Sequence, residues 1–534
     1  MVSEPTVFVF ACIAGLALTA LMRGVAPLIG LVDKPDGHRK LHTGATPLGG
    51  GLAVYLAMLT VLAVLMFFPS AAGKHLNGDL PVTLAILGAA GLIVIVGLVD
   101  DKFNMSGRQK LLWQMVAAGV LMGCGLVIRQ VTVFGYTIPL GVFAYPLTMF
   151  WFLGAMNALN LLDGIDGLAT MLGLIISFTI SILAVITGNP AVAVIAMVFS
   201  GCLLGFLWFN FPPASIFLGD AGSMQIGLMV GALAIVGSFK APGTVLLAAP
   251  LAVWAIPIFD SAAAILRRKL TGRSIYATDR GHLHHRLLDL LGDNRRVLAV
   301  IAVACAFTSV AALISVGQGN DLIAVVTCAA VAGVFVVTGV FGRVELMLIG
   351  SRLRRMGGAL IPGRGLRRKS RQSMVRLQGT RQWDKLWQSL TEAAESLQLC
   401  QIRFDVHLPA IREGYHATWE TTNSWDREKA WQIIIPLDDG NQGETPVGRL
   451  SVVGDSGGGP LVESMSAVVE LLEQFDGGLR TLLADDRQET TEGFDETKPE
   501  IGAEPVTVAA PVATAVAAHV RSTPYEPSEP RRPR

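Results

Sequence analysis

The chain has 534 residues, 52% of them hydrophobic and only 16% charged, against about 25% charged in an ordinary soluble protein. That deficit argues against a soluble globular protein before any segment is considered. A formal net charge of +1 gives no global bias toward nucleic acid, and six scattered cysteines with no CxxC pair argue against a disulfide framework or a closed zinc site.

A helix needs about 20 mostly apolar residues to cross the hydrocarbon core. Eleven stretches meet that test, near 6–28, 49–68, 81–99, 110–128, 142–161, 167–187, 191–210, 223–239, 243–264, 297–317 and 321–342. The first lacks the basic region of a signal peptide and is long enough to span, so it reads as a retained helix. Loops that alternate along the chain divide by charge. Those carrying "DKPDGHRKLHTGATP", "DDKFNMSGRQK", "NLLDGIDG", "NFPPASIFLGDAG" and "RRKLTGRSIYATDRGHLHHRLLDLLGDNRR" hold nearly all the loop Lys and Arg, whereas the alternate set holds Lys74, Arg129 and Lys240. Excess positive charge marks the cytoplasmic face, which places the N-terminus outside and everything after the last span in the cytosol. Nearly every loop Asp, with Asp79 an exception, and the clustered histidines gather on the same basic side. A transporter keeps its ionisable groups near the midplane on broken helices; one-sided acids at span ends suit an enzyme working at one surface.

Four clusters carry the chemistry. In "VGLVDDKFNMSGRQK", Asp100 and Asp101 end one span while Arg108 and Lys110 open the next. Adjacent carboxylates repel unless a cation sits near them, and Mg²⁺ favours one or two carboxylates plus substrate phosphates; a solvated helix end is the plainer alternative. In "NALNLLDGIDGLA", Asn157, Asn160, Asp163 and Asp166 recur every three residues and share one stripe if the helix continues. Gly164 and Gly167 let the backbone turn there and approach a ligand. Capping of the following helix explains one Asp and one Asn of this set, not all four. In "FNFPPASIFLGDAGS", Pro212 and Pro213 stop a span and Asp220 stands where the next begins. It is an N-cap or a group beside a phosphate-binding helix end. In "TDRGHLHHRLLDLLG", His282, His284 and His285 fall within four positions, and Leu283, Leu287, Leu290 and Leu291 give a stripe suited to a short helix on the membrane. With Arg267, Arg268, Lys269, Arg273 and Arg280 upstream, anion binding fits better than zinc. Arg39, Lys40 and His42 read first as orientation charges. Carboxylates with Mg²⁺ plus Arg and Lys are the equipment of phosphoryl transfer.

Five segments then come in one order: "DKPDGHRKLHTGATPLGGGLA", "GLVDDKFNMSGRQKLLWQ", "NALNLLDGIDGLA", "FLGDAGS" and "RGHLHHRL". Together, over roughly residues 20 to 290, they resemble the polyprenyl-phosphate N-acetylhexosamine-1-phosphate transferases, the MraY/WecA-type superfamily. "HLHH" departs from the three consecutive histidines of the peptidoglycan member and resembles the branch acting on UDP-GlcNAc or a related UDP-N-acetylhexosamine. The resemblance implies transfer of GlcNAc-1-phosphate from a UDP-sugar to undecaprenyl phosphate, with release of UMP, as the first membrane step of an envelope polysaccharide. It implies Mg²⁺, with Mn²⁺ as a substitute, a plasma-membrane location with a cytosolic site, and a homodimer. By motif position Asp100 and Asp101 resemble the catalytic pair and Asp220 the main metal ligand. Asn160, Asp163 and Asp166 match the segment lining the nucleotide, Asp163 also lying near the metal, and Lys110, His282, His284 and His285 match the groups holding diphosphate and sugar. A CDP-alcohol phosphotransferase is disfavoured because "DGIDGLAT" lacks that motif's Ala-Arg continuation and later acids.

The expected fold is an all-α polytopic membrane domain over 1–345, a basic juxtamembrane linker over 346–375 that suits anionic headgroups, a small cytosolic α+β domain over 376–485, and a disordered Pro- and Glu-rich tail over 486–534. In the third part "WDKLWQSLTEAAESLQL" and "LVESMSAVVELLEQFDGGLRTLL" have helical periodicity, with "QIRFDVHL", "HATWETT", "WQIIIPL" and "GRLSVVG" as strands between them. Its tryptophans Trp383, Trp387, Trp419 and Trp425 read as core, and the domain as regulatory or partner-binding.

Overall fold

The computed structural model describes residues 4–33, 45–133, 136–238, 254–271 and 282–340, then 370–378, 383–397, 399–408, 413–421, 430–437 and 448–455, with Gly342, Leu346 and Ile349. The chain divides into two compact units, Met1–Arg343 and Val344–Arg534.

The first unit is helical: α1 (Glu4–Leu28), α2 (Gly50–Phe67), α3 (Ala71–Gly78), α4 (Leu80–Phe103), α5 (Gly107–Gly123), α6 (Ala144–Leu162), α7 (Leu168–Ile186), α8 (Pro190–Asn210), α9 (Gly219–Ser238), α10 (Ala255–Thr271), α11 (Leu283–Leu291), α12 (Asn294–Gln318) and α13 (Asp321–Val337). Among the described residues eight helices are long and apolar enough to cross a membrane. They fall where eight of the eleven expected spans lie. Of the other three, α5 and α13 are helices of 17 residues each, at the lower end of the length that crosses the hydrocarbon core. The third, 243–264, lies half outside the described residues, and its described half is in the amphipathic α10 with Arg268 and Lys269 in its last turn. Two short ladders join the helices: β1 (Val32–Asp33) with β2 (Thr46–Pro47), and β3 (Gln130–Val133) with β4 (Tyr136–Pro139).

α9 sits at the centre. Its membrane window is 83% buried against 28% for α1, and it packs on α2, α4, α6, α7 and α8. Between apolar helices in lipid the driving force is close packing, which small residues permit. A Cβ added at Gly97 of α4 would lie 2.2 Å from Ala221 Cα, and one at Gly51 of α2 would lie 2.2 Å from the Gly222 nitrogen. Backbone thus meets backbone at the start of α9. The same seam is pinned by Phe217 N to Pro47 O (2.9 Å), Gly50 N to Phe217 O (3.1 Å) and Gly51 N to Leu218 O (3.0 Å).

The second unit holds β5 (Ser370–Gln378), α14 (Trp383–Ser396), β6 (Gln401–Leu408), β7 (Glu413–Thr421), β8 (Ala430–Leu437) and β9 (Gly448–Asp455). The strands form an antiparallel sheet in the order β5-β7-β6-β9-β8. Side chains alternate across it. Ile402, Phe404, Val406, Tyr415, Ala417, Trp419, Leu450 and Val452 bury on one face with Trp383, Trp387, Leu390 and Ala394 of α14. Trp383, Trp387 and Trp419 are core, as expected, and Trp425 lies outside the described residues. Four strands and the first helix stand where the sequence placed them. β5 does not: it begins inside the stretch expected as a basic linker, where Arg and Lys obscure the alternation. The second expected helix and the tail from 486 lie outside the described residues.

Candidate active site

The site is assembled at the ends of α4, α5, α6 and α9. Asn104, at φ 51°, ends α4 in the left-handed region. Two residues on, a capping box starts α5: Ser106 Oγ accepts from Gln109 N (3.4 Å) and Gln109 Oε1 accepts from Ser106 N (3.1 Å). This tight reversal returns Lys110 to the end of the helix that carries Asp100 and Asp101.

Lys110 Nζ bridges two helices. It pairs with Asp100 of α4 and with Asp220 Oδ2 of α9, the latter at 2.6 Å. Asp220 Oδ1 accepts from Asn160 Nδ2 at 2.6 Å, and the same amide donates to Ser223 Oγ at 3.0 Å. Asp101 faces the start of α9 itself, accepting from Asp220 N (2.9 Å) and Ala221 N (3.5 Å). Asp220 is therefore not the N-cap weighed in the sequence; Asp101, from another helix, meets those free amides and the positive helix end. Asp100 Oδ1 accepts from Met105 N at 2.7 Å, tying it to the turn.

α6 ends at Leu162, so the stripe of four polar residues breaks after Asn160. Asn157 is turned into the bundle, donating to Gln114 Oε1 at 2.8 Å. Asp163 is the C-cap residue, its side chain half-buried. Burial, and then the charges of Asp220, Asp101 and Asp166, push its carboxyl well above the usual range. Asp166 Oδ2 accepts from Ala214 N at 2.9 Å, which braces the 211–218 loop. The same loop is held by Asn210 Nδ2 to Ile216 O (3.0 Å), with Thr170 Oγ1 on Asn210 Oδ1 (2.8 Å), and by Arg295 Nε to Pro212 O (2.9 Å). Gly167 starts α7 at φ 75° with no side-chain cap, so the capping alternative fails at this turn.

The histidines come to the same place. His284 is buried beside Gly164, where an added Cβ would lie 2.7 Å from its Nε2. Its ring stacks on His282 (5.8 Å, 13°) and meets His285 (4.3 Å, 44°). Neither nitrogen of His284 has a hydrogen-bond partner among the described residues. Burial first, and then the neighbouring His285, lower its pKa to about 3 against the pull of Asp260, so the ring is neutral at physiological pH. Of the leucine stripe of α11, Leu283 and Leu287 are buried within the protein, while Leu290 is exposed. Arg267 and Arg268 are buried in α10. Arg39, Lys40, His42, Arg273 and Arg280 lie outside the described residues.

Asp100, Asp101, Lys110, Asn160, Asp163 and Asp220 thus form one polar group, with His284 against the Asp163 turn and Asp166 below it as a loop brace. Four carboxylates against one ammonium leave negative charge that a divalent cation or a cationic ligand offsets. Among the described residues no three His, Cys, Asp or Glu side chains converge closely enough to hold an ion unaided; Mg²⁺ habitually completes its shell with water and substrate phosphate, so the donor set fits it.

Ser223, Thr170, Asn210 and Asp260 escaped the sequence reading. The signal for Asp260 was present, since an acid inside an apolar run is a site hypothesis by default.

Residues 83–238 match glycosyl transferase family 4. A probable undecaprenyl-phosphate N-acetylglucosaminyl 1-phosphate transferase of Bacillus subtilis (strain 168) is 34% identical over 316 residues, 59% of this chain and 85% of that protein. A decaprenyl-phosphate N-acetylglucosaminephosphotransferase of Mycolicibacterium smegmatis is 35% identical over 53% of this chain and 75% of its own. The undecaprenyl-phosphate alpha-N-acetylglucosaminyl 1-phosphate transferase of Escherichia coli (strain K12) is 30% identical over 53% and 76%. The five motifs, the helical bundle and these likenesses agree: the chain is a multi-pass membrane protein of glycosyl transferase family 4, a member of the polyprenyl-phosphate N-acetylhexosamine-1-phosphate transferase superfamily.

Proposed function

We propose that this chain transfers N-acetylhexosamine-1-phosphate, with GlcNAc as the sugar, from a UDP-sugar to undecaprenyl phosphate. The observation that carries the reading is the bridge of Lys110 between Asp100 and Asp220, with Asn160 and Asp101 fixing Asp220 from two further directions. In the reaction an oxygen of the lipid phosphate attacks the sugar-bearing phosphorus of the donor. A new P–O bond forms, the bond to the bridging oxygen breaks, and UMP leaves with that oxygen. Asp100 and Asp101 are the catalytic pair that prepares the lipid phosphate, Asp101 also keeping α9 in place. Lys110, His282, His284 and His285 bind the diphosphate and sugar, and Asn160 and Asp166 shape the nucleotide side. Asp220 and Asp163 would hold Mg²⁺, for which Mn²⁺ substitutes; bound there, the ion supplies charge neutralisation of phosphoryl oxygens.

We read the site as cytosolic in the plasma membrane, with the N-terminus outside, eleven spans and a homodimer. The 370–455 region is an added cytosolic domain for regulation or a partner. Purified protein given undecaprenyl phosphate and a panel of UDP-sugars should release UMP, fastest from UDP-GlcNAc, and stop in EDTA. Radiolabel crossing a bilayer with no UMP release would favour a transporter. Orientation has its own test. Cys124 is exposed at the end of α5 opposite Lys110, so an impermeant maleimide should label it on intact spheroplasts; labelling only after permeabilisation refutes the orientation.

A further inference from the structure

Asp260 lies within α10, outside all five motifs, and is fully buried. An ionised carboxylate withdrawn from water must be compensated, and both its oxygens are. Oδ1 accepts from Leu283 N at 2.7 Å and Oδ2 meets His282 Nδ1 at 2.9 Å. One side chain therefore caps the first turn of α11 and fixes the ring preceding it. His282 is the N-cap residue but its own side chain makes no cap bond; Asp260 supplies the acceptor instead. Beyond His282 the rings continue. His282 stacks on His284 with planes 13° apart, and His284 is 1% exposed, against Gly164, with both nitrogens unpartnered among the described residues. A buried imidazole whose two nitrogens have no partner among the described residues, seated against the turn that carries Asp163, calls for an explanation.

We infer that Asp260 is a positioning residue of this site: through His282 and the first turn of α11 it sets His284 in the seat beside Gly164, on the nucleotide-sugar side. Both its oxygens are spent within the protein, so it acts through His282. An acceptor on one ring nitrogen fixes which nitrogen remains open. The inference rests on the transferase reading for its kinetic consequence, and on geometry alone for its structural one.

Asp260→Asn tests both. The amide still offers an oxygen to Leu283 N but can no longer accept at both positions. The KM for UDP-GlcNAc should rise about tenfold, the low end of what partners of histidine ligands cost, while the KM for undecaprenyl phosphate changes less than twofold. Adding Gly164→Ala, which displaces His284 directly, should give a double variant no more than twofold worse than Gly164→Ala alone, because both act on one ring. Nitrogen-15 spectra of histidine-labelled full-length protein read the rings without substrate. Asp260→Asn should move the His282 and His284 resonances, assigned by loss in His282→Gln and His284→Gln. Unchanged ring resonances overturn the inference whether or not the protein releases UMP. So does a fall in kcat with both KM values unchanged, or an equal rise in both. A wild-type protein that releases no UMP overturns the transferase reading alone, and the spectra still decide the role of Asp260.

Discussion

Each unit of the chain buries a carboxylate against an imidazole. In the helical unit Asp260 meets His282, two helices supplying one partner each. In the sheet unit Asp405 of β6 meets His416 of β7, directly opposite in register, and Asp405 Oδ2 also accepts from Arg449 Nε of β9 at 3.0 Å, again directly opposite. The sheet pair is a closed arrangement across three neighbouring strands, a cross-strand brace. The helical pair is the start of a row of rings that runs through His284 to His285, and neither nitrogen of His284 has a partner among the described residues. The pair itself is therefore no mark of chemistry; what distinguishes the two is whether the next group along is already satisfied.

Damage to one unit should leave the function of the other intact. Asp220→Asn, which weakens the hold on Lys110 in the helical unit, should slow UMP release by about a hundredfold or more, the scale of losing one preorganised electrostatic contact. His416→Gln should leave release within twofold, and a larger loss there would tie the sheet to turnover. Asp405→Asn should instead cost the sheet about 2 kcal/mol, since it leaves buried donors poorly paired, read as faster hydrogen exchange over 401–408 and 413–421 by mass spectrometry. Gly164→Ala should slow release about tenfold, because the methyl would lie 2.7 Å from His284 Nε2 and push the ring aside.

Acid should separate the units by window. His284 has a depressed pKa of about 3, so the folded state declines a proton that the unfolded state accepts near pH 6.5. Stability is complete above that value and falls as pH drops from about 6.5 toward 3, by at most about 1.4 kcal/mol per unit. For Asp405, burial alone would raise the pKa, but His416 and Arg449 outweigh it and hold the carboxyl below its usual range. The sheet therefore keeps this contribution until pH falls below about 4. Exchange over 283–291, corrected for intrinsic rate, should rise near pH 5.5 while 413–421 stays protected. Simultaneous loss would contradict the separate environments.

The sequence made the chemical groups legible because acids, amides and histidines at span ends stand out against an apolar background. Asp100, Asp101, Lys110, Asn160, Asp163 and Asp220 were all found that way, and the structure brings them together. Partner assignments were less accessible. The three-residue recurrence suggested one stripe through Asp166, but α6 stops at Leu162 and Asp166 turns to the Ala214 amide. Asp260 was passed over because its neighbours are Phe259, Ser261 and three alanines, and its partner is 22 positions away. β5 was hidden by its charges. Periodicity records which face is buried, not which distant group a side chain meets.

The seam of Gly51 and Gly97 against Ala221 and Gly222 has a thermal consequence. No rotamer lies between those helices, so warming gives the junction no alternative side-chain states to populate. The separation of Asp101 from the start of α9 should stay fixed as temperature rises, until the bundle itself comes apart.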